Sequence, residues 1–215
     1  MQHRGQEASG ITTSENEKLH TIKGKGLVTD VFDEEAFKVL KGNMAVGHNR
    51  YSTAGEDSIL DAQPVFARYS LGEISIVHNG NLVNKQEVRD KLIEKGAIFQ
   101  SFMDTENIIH LIAKSSQKSL KSRIIEAVEK IQGAYNLIIQ SRSKMFVVRD
   151  RYGIRPMSLA KFPNGGYMVA SETCAFDLVG AEFVRDVKPG ELLIFRQGEE
   201  PQSIQLYEPD FRPCA

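Results

Sequence analysis

Cys174, in the segment SETCAFD, is the one internal thiol of the chain and therefore the first candidate for a nucleophile. A lone cysteine between apolar segments is more often a small buried hydrophobe, and the sequence favours that structural role. The glycines of Gly42–Gly47 (GNMAVG) are spaced as in a phosphate loop, but His48 and Asn49 stand where Lys and Ser/Thr are required. HExxH and GxSxG motifs are also missing from the sequence. Standard motifs therefore assign no reaction.

Polar side chains are concentrated in four places at the predicted ends of strands and helices. These places are His3–Glu7, Gly47–Thr53, His78–Asn81 and the neighbourhood of Asp104. Taken singly, each has a structural explanation. Arg50 fits a surface or salt-bridged arginine, Asn79-Gly80 fits a tight turn, and Asp104 fits an N-cap carboxylate.

Composition places limits on the class of protein. The 215 residues carry 27 Lys+Arg and 28 Asp+Glu, a formal net charge of −1, which is not the basic footprint of a nucleic-acid binder. No apolar run approaches the length of a membrane span, and the first ten residues contain no apolar signal region. We therefore expect a cytoplasmic protein with neither nucleic acid nor membrane as a partner, and a single domain at this length.

Two or three helices are predicted in the middle of the chain. Val88, Leu92 and Ile93 form an apolar stripe in a segment that begins at Asn84, a plausible N-cap, and ends at Gly96. Further helices are predicted over Asp104–Lys114 and Leu120–Ile131. Because the helices cluster instead of alternating with strands, the layout is α+β.

Short strands are predicted on both sides of these helices. Alternating patterns occur at Met44–Tyr51 and Ile74–His78, and strands separated by turns follow from Ala134 onwards. Consecutive strands joined by short turns favour antiparallel pairing, since parallel strands need long crossovers. The sequence therefore predicts helices that cover antiparallel sheets.

Taken together, the ordered motifs resemble a known family. HRGQE, GHNRYSTAG, HNGNLVN and DTE follow one another in the order typical of class II (N-terminal nucleophile) glutamine amidotransferases. MQHRGQEASGI, GAYNLII, RDRYGIRPMSL and ASETCAFD extend the resemblance to the glutaminase domains of the amidophosphoribosyltransferase family. HRGQE and RYSTAG differ from the HRGPD of asparagine synthetases and from the RWATHG of sugar-phosphate aminotransferases. Several motifs in one order make chance similarity a poor explanation.

The resemblance implies a function for five residues. Asn79, through its side-chain amide, and Gly80, through its backbone N–H, would form the oxyanion hole. Arg50 would bind the α-carboxylate of glutamine, for which a planar guanidinium suits better than lysine. Asp104 would bind the α-ammonium group, and Thr53 lies where neighbouring family residues line the glutamine pocket.

The resemblance also implies a nucleophile that the 215 residues do not contain. In the family a terminal cysteine attacks the glutamine amide, and its own α-amine accepts the proton. That cysteine precedes HRGQE within a CGVFG-like segment, whereas here Met1 and Gln2 come directly before His3. We therefore expect residues 1–215 to form an incomplete glutaminase domain, inactive alone. The implied fold is a four-layer αββα sandwich of two antiparallel sheets that lacks its first strand.

Further expectations concern the parent protein from which such a domain would come. It would carry a phosphoribosyltransferase domain, absent here, that uses Mg²⁺ with phosphoribosyl diphosphate, and it would form a homo-oligomer. Cys214 matches a ligand of the iron–sulfur cluster that some family members carry. One thiolate cannot hold a cluster, so no cofactor is expected in this chain.

Two alternatives remain open at this point. One is a non-catalytic protein that retains the glutamine pocket through Arg50 and Asp104. The other is a fragment of a different class II amidotransferase, such as a sugar aminotransferase or a glutamate synthase. The leading interpretation is the glutaminase domain of an enzyme that makes 5-phosphoribosylamine from glutamine and phosphoribosyl diphosphate in the first step of purine synthesis.

Overall fold

The computed structural model describes residues 2–51 and 59–208. These ranges contain twelve β-strands and six α-helices. The strands are β1 (Ala8–Glu15), β2 (Lys18–Lys25), β3 (Met44–Arg50), β4 (Val65–Tyr69), β5 (Gly72–Leu82), β6 (Gly133–Ser141), β7 (Lys144–Arg149), β8 (Ser158–Lys161), β9 (Tyr167–Ala170), β10 (Glu182–Asp186), β11 (Glu191–Arg196) and β12 (Gln202–Gln205). The helices are α1 (Val28–Val31), α2 (Glu34–Val39), α3 (Lys85–Glu94), α4 (Asp104–Lys114), α5 (Leu120–Lys130) and α6 (Cys174–Asp177).

A six-stranded antiparallel sheet forms the centre of the molecule, with the strand order β12-β11-β7-β6-β5-β4. Its longest pairing joins β5 to β6, from Ile74 opposite Ser141 to Leu82 opposite Gly133. Successive side chains of a strand point to opposite faces of the sheet. Each strand of this sheet can therefore contribute to two separate cores.

Helices α4 and α5 cover one face of the central sheet. The apolar residues of their inner sides pack on every second residue of β5, β6, β7 and β11. The fully buried members of this core include Ile108, Ile112, Ile124, Ile76, Leu137, Phe146 and Leu192. Burying one such side chain contributes roughly 1.5–3 kcal/mol. This core therefore fixes the position of α4 relative to β5.

Two three-stranded antiparallel sheets pack on the other face. One has the order β2-β1-β3, and the Oγ1 atom of Thr12 in β1 lies 2.9 Å from the Oγ atom of Ser75 in β5. The other has the order β10-β8-β9, and Leu159 of β8 packs with Val147 and Leu193 of the central sheet. These two sheets together make up the second β layer.

Short helices cover the outer side of the second layer. Val31 of α1 packs over Gly24 of β2, where a side chain would meet the valine methyl groups at 3.1–3.2 Å. Phe176 of α6 packs with Ala160 of β8, on the opposite face from Leu159. The order of layers is therefore helix, sheet, sheet, helix, and the predicted α+β sandwich is confirmed.

The predicted helices are confirmed, with three additions. Helix α4 has the predicted bounds, α5 ends one residue earlier than predicted, and α3 lies between Asn84 at its N-cap and Gly96. The estimate of two or three helices is too low, because α1, α2 and α6 are only four to six residues long and leave little periodicity to detect. In the described ranges, no helix has the length and apolar character needed to cross a bilayer.

Candidate active site

Asn79 and Gly80 lie inside strand β5, so the alternative explanation of this dipeptide as a tight turn does not apply. The strand continues to Leu82, because β6 pairs with it along its whole second half. Asn79 lies on the same face as Ser75, the face that packs against the sheet of β1 and β3. Its side chain therefore points into the space between the two β layers.

Gly80 is held against the neighbouring strand. A Cβ atom at this position would lie 2.0 Å from the carbonyl oxygen of Ala134 and 2.8 Å from the Cα atom of Tyr135, both in β6. Real side chains do not tolerate such a contact with backbone, so only glycine fits without a shift of the strand. The close approach fixes the position of the Gly80 peptide.

The N–H of Gly80 points off the edge of β5 and has no partner among the described residues. Tyr135, which lies opposite Gly80, uses its own N–H and C=O on Asp150, so this is a non-hydrogen-bonded pair. Strand β4 begins at Val65, opposite Ile76, and does not reach Gly80. A backbone donor is therefore available at this edge.

The N–H groups of His78 and Leu82 point to the same edge of β5 as the N–H of Gly80. Each of them donates a hydrogen bond to a side chain. The His78 N–H donates to Oε1 of Gln63 at 2.6 Å, and the Leu82 N–H donates to Oδ2 of Asp104 at 3.0 Å. Gln63 also donates to the carbonyl of His78, so its side chain continues the pairing of β4. Within residues 2–51 and 59–208, the N–H of Gly80 is therefore a donor without a partner, and it lies between two N–H groups that have one.

Asp104 is the first residue of α4, where Met103 is the N-cap, so the alternative explanation of Asp104 as an N-cap carboxylate does not apply. Its carboxylate contacts β5 instead, with Oδ1 3.1 Å from Nδ1 of His78 and Oδ2 on the Leu82 amide. Burial raises the pKa of the Asp104 carboxyl. The contacts with His78 and Leu82 outweigh that effect and hold the pKa below its usual value. Asp104 is therefore an anion at neutral pH.

Arg50 is the last residue of β3. Val46 of β3 lies opposite Thr12, whose side chain contacts Ser75 of the central sheet. Arg50 is four residues after Val46 in the same strand, so its side chain also faces the central sheet. One guanidinium nitrogen lies 3.7 Å from Oδ2 of Asp61, and both side chains are mostly buried. Gly5 packs against the backbone of Arg50, where a Cβ atom would lie 2.5 Å from the carbonyl carbon. The HRGQE segment thus borders the arginine.

Two buried histidines lie on opposite faces of β5, and sequence reasoning assigned them no function. The ring of His78 lies between the central sheet and α4, and His48 of β3 lies between the two β layers. Burial, together with the charges of His78 and Arg50, lowers the pKa of His48 to about 4, and the backbone of His78 partly offsets this. Nδ1 of His48 and Nε2 of His78 are buried without a hydrogen-bond partner among the described residues. Both histidines belong to the quoted motifs GHNRYST and HNGN, so the signal was present in the sequence.

Glu172 joins the N-terminal segment to the turn after β9. Its Oε2 atom lies 2.7 Å from Nε2 of His3, and its Oε1 atom accepts a hydrogen bond of 2.5 Å from Nη1 of Arg4. These contacts lower the pKa of the Glu172 carboxyl to about 2, against a small opposing effect of burial. Sequence reasoning missed this residue, although it lies in the ASETCAFD motif.

Cys174 is exposed, so the prediction of a small buried hydrophobe is wrong. It begins α6, whose buried side is occupied by Ala175 and Phe176 instead. Its Sγ atom donates to Glu172 at 3.4 Å, and the metal-ligating atoms of His3, Glu172 and Cys174 lie within 4.8 Å of one another. Glu172 therefore contacts three side chains at once, those of His3, Arg4 and Cys174.

The structure therefore brings four of the candidates to one region. Asn79, Gly80 and Asp104 lie at the end of β5, and Arg50 lies at the end of β3, which packs beside β5. The remaining two candidates, Thr53 and Cys214, lie outside the described residues. The site offers a guanidinium, a carboxylate, a carboxamide and a free backbone N–H. These groups suit a small zwitterion with a polar side chain.

Fold and site together define a class. The chain belongs to the family described as the glutamine amidotransferase domain, whose model matches residues 48–177. The resemblance to the glutaminase domains of amidophosphoribosyltransferases is confirmed by the relatives. Amidophosphoribosyltransferase 1, chloroplastic, of Arabidopsis thaliana is 46% identical over 99% of this chain, which spans 38% of that relative. Amidophosphoribosyltransferase of Bacillus subtilis is 44% identical over 90% of this chain, which spans 41% of it.

Comparison with solved structures leads to the same family. The glutamine phosphoribosylpyrophosphate amidotransferase of B. subtilis, complexed with ADP and GMP, matches 96% of this chain with a TM-score of 0.90 and 41% identity. A structure described as the allosteric regulatory enzyme of purine biosynthesis matches with a TM-score of 0.92 and 42% identity. This chain spans 44% of each of them. A class II glutamine aminotransferase domain protein of Silicibacter pomeroyi, at 11% identity and a TM-score of 0.66, shares the fold.

Proposed function

We propose that this chain binds glutamine at the end of β5 and forms the glutaminase part of an amidophosphoribosyltransferase. The guanidinium of Arg50 holds the α-carboxylate of glutamine, and the carboxylate of Asp104 holds the α-ammonium group. The carboxamide of Asn79 and the N–H of Gly80 receive the oxygen of the side-chain amide. In this function the oxygen becomes an oxyanion when a thiolate attacks.

The single observation that carries this proposal is the free N–H of Gly80. It lies between the satisfied amides of His78 and Leu82, in a peptide that packs closely against the backbone of Ala134. A fixed donor costs no reorganisation when charge develops beside it, and one oxyanion-hole donor contributes roughly 2.7–4 kcal/mol to the transition state. The anionic state of Asp104 further supports binding of an ammonium group.

The proposed nucleophile is a cysteine upstream of Gln2 in the parent protein, with its α-amine as proton acceptor. An α-amine has a pKa of about 7.7–8.0, so a useful fraction is unprotonated at neutral pH. Cys174 does not fit this function, since it follows β9 inside the chain and has no α-amine of its own. We infer that residues 1–215 by themselves bind glutamine without releasing ammonia.

The activity of the whole parent belongs to the proposal as well. There the ammonia would pass to a phosphoribosyltransferase domain that uses phosphoribosyl diphosphate with Mg²⁺, in a homo-oligomer located in the cytoplasm. An iron–sulfur cluster would need four ligands, and the 215 residues contain two cysteines, Cys174 and Cys214. Cys214 would be one ligand of a cluster completed by the rest of the parent.

Calorimetric titration of the chain with L-glutamine tests the site. Arg50→Lys keeps the charge but loses the bidentate geometry, so we expect it to weaken binding at least about tenfold. Arg68→Lys, an equally conservative change at an exposed arginine of β4, is the matched control and should bind as the unmodified chain does. No detectable binding by the unmodified chain, or equal affinity in both variants, would overturn the assignment of Arg50.

An ammonia-release assay tests the nucleophile separately. The chain of 215 residues should release none, and a form extended upstream to a free N-terminal cysteine should release it. Ammonia release by the unextended chain that disappears in Cys174→Ala would contradict the proposal. Because binding and release are measured apart, a bound but uncleaved glutamine would identify a glutamine-binding protein.

A further inference from the structure

A cavity opens at the end of the central sheet opposite the candidate active site. It has a volume of about 400 Å³ and is lined by the β4–β5 turn, the β6–β7 turn, the ends of β11 and β12, and the start of α5. Glu73, on its wall, is six residues before Asn79 in β5, which corresponds to about 20 Å along the strand. This cavity is therefore separate from the candidate active site.

The wall of the cavity is strongly basic. Lys121, Arg142, Lys144 and Arg196 line it, and Glu73 is the one carboxylate among the lining residues. That carboxylate already accepts the Leu19 amide at 2.8 Å and Nε of Arg68 at 3.0 Å. Such a concentration of positive charge stands out in a chain whose net charge is −1.

Two of these cations lie directly opposite each other. Lys144 of β7 pairs in register with Arg196 of β11, and both are on the face of the sheet that carries Phe146 and Ile194. Like charges in directly opposite positions destabilise a pair of strands. Arg196 reaches Glu199 at 3.2 Å, but in the ranges 2–51 and 59–208 no acidic side chain pairs with Lys144 or Lys121. Lys144 and Arg196 therefore form a positively charged position at which a bound anion would relieve their mutual repulsion.

Arg142 adds a third cation from the β6–β7 turn. Gly72 of the opposing turn leaves room for it, because a Cβ atom there would lie 3.3 Å from the Nε atom of Arg142. Its only ion pair among the described residues is a 3.9 Å contact with the exposed Glu17. Between the cations, the cavity floor is apolar, with buried Phe146 and Ile194 and half-buried Leu120.

We propose that this cavity binds a small organic phosphate. The phosphoryl group lies between Lys144 and Arg196, and the carbon skeleton lies on the apolar floor. Charge-assisted hydrogen bonds from arginine and lysine are the usual means of holding phosphate oxygens. A volume of about 400 Å³ is at the lower end of the range typical of small-molecule sites.

Calorimetry with phenyl phosphate and inorganic phosphate, at one fixed ionic strength, tests this site on the whole chain. We expect saturable binding at one site, tighter for phenyl phosphate because its ring contacts the apolar floor. The double variant Lys144→Gln/Arg196→Gln should weaken binding at least about tenfold. The matched control, Lys38→Gln/Lys91→Gln, removes two exposed charges elsewhere and should bind normally.

Thermal unfolding gives a second measurement that does not depend on glutamine. Phenyl phosphate should raise the melting temperature of the unmodified chain and of the control variant, but not that of Lys144→Gln/Arg196→Gln. Without ligand, the latter variant should be at least as stable as the unmodified chain, since the like-charge pair is gone. No saturable binding below about 10 mM, or equal losses in both variants, would overturn the proposal.

Discussion

The Nδ1 atom of His78 lies 3.1 Å from Oδ1 of Asp104, and this contact joins the central sheet to the first turn of helix α4. The imidazole is buried and the carboxylate is mostly buried. The pair holds an anion at the edge of β5, where the other carboxylate oxygen of Asp104 accepts the N–H of Leu82, two residues after Gly80. Its geometry depends on the packing of α4 on β5, so a change in either element alters the electrostatics of the site.

Replacement of His78 by leucine should raise the pKa of Asp104 toward its usual value. Burial alone raises that pKa, and His78 supplies the largest of the effects that lower it. Because the folded pKa is depressed, Asp104 contributes stability above the ordinary carboxyl pKa that is lost as the pH falls. NMR titration of the Asp104 carboxyl carbon measures the shift.

His78→Asn is the control for that experiment, since an amide can donate at the position of Nδ1. We expect the pKa of Asp104 to stay closer to its present value in this variant than in His78→Leu. Equal pKa values in all three proteins would show that the Leu82 amide and the charge of Lys85, without His78, hold the pKa of the carboxyl down.

His48 should make the stability of the protein depend on pH. Its pKa is about 4 in the folded protein against an ordinary value of 6.5, so the unfolded chain binds the additional proton between these values. The contribution of His48 to the free energy of unfolding should therefore fall by about 1.4 kcal/mol per pH unit as the pH drops from 6.5 to 4. Urea unfolding at several pH values measures this slope.

In the variant His48→Gln, the free energy of unfolding should depend less steeply on pH between pH 4 and 6.5. His110, whose pKa burial also lowers, retains its own contribution in both proteins. The difference between the two slopes therefore reports His48 alone. Identical slopes would mean that His48 is not buried as a neutral ring.

Gly80→Ala should destabilise the protein by about 2 kcal/mol or more, because the added methyl group meets the Ala134 carbonyl at 2.0 Å. Gly96→Ala is the matched control. Gly96 also has a positive φ, but a methyl group there would meet nothing within 4 Å, so we expect a cost of about 1 kcal/mol. Equal losses in urea unfolding would contradict the close contact between β5 and β6.

Glu172→Gln should loosen the segment that precedes β1. The neutral amide keeps the shape of the side chain but loses the charge that attracts His3 and Arg4. Hydrogen exchange at the amides of Gly5 and Glu7 should become faster, while global stability should change by less than about 1 kcal/mol, since the ion pairs are partly exposed. Glu182→Gln, at an exposed carboxylate of β10, should leave both exchange rates unchanged.

Local spacing in the sequence predicted much of the fold. The apolar period of Asp104–Lys114 defines α4, because helix formation depends on neighbours three and four residues apart. Alternation likewise predicts β6 and β7. Five strands were missed: β1, β2, β4, β10 and β12. The residues of β2, β4, β10 and β12 are mostly exposed or half-buried, so these strands lack a clear apolar alternation. Strand β1 is mostly buried, but its sequence ASGITTSE consists mainly of small and polar residues, so it shows no apolar alternation either.

The sequence by itself determined the family, since the motifs around His3, Arg50, Asn79 and Asp104 occur in one characteristic order. Only the tertiary structure decided how these residues meet. The partners of Asp104 come from β5, the exposure of Cys174 follows from the packing of α6, and Lys144 meets Arg196 through the register of β7 and β11. Such contacts depend on sheet register and on the packing of layers. No local pattern encodes them, because the residues involved are far apart along the chain.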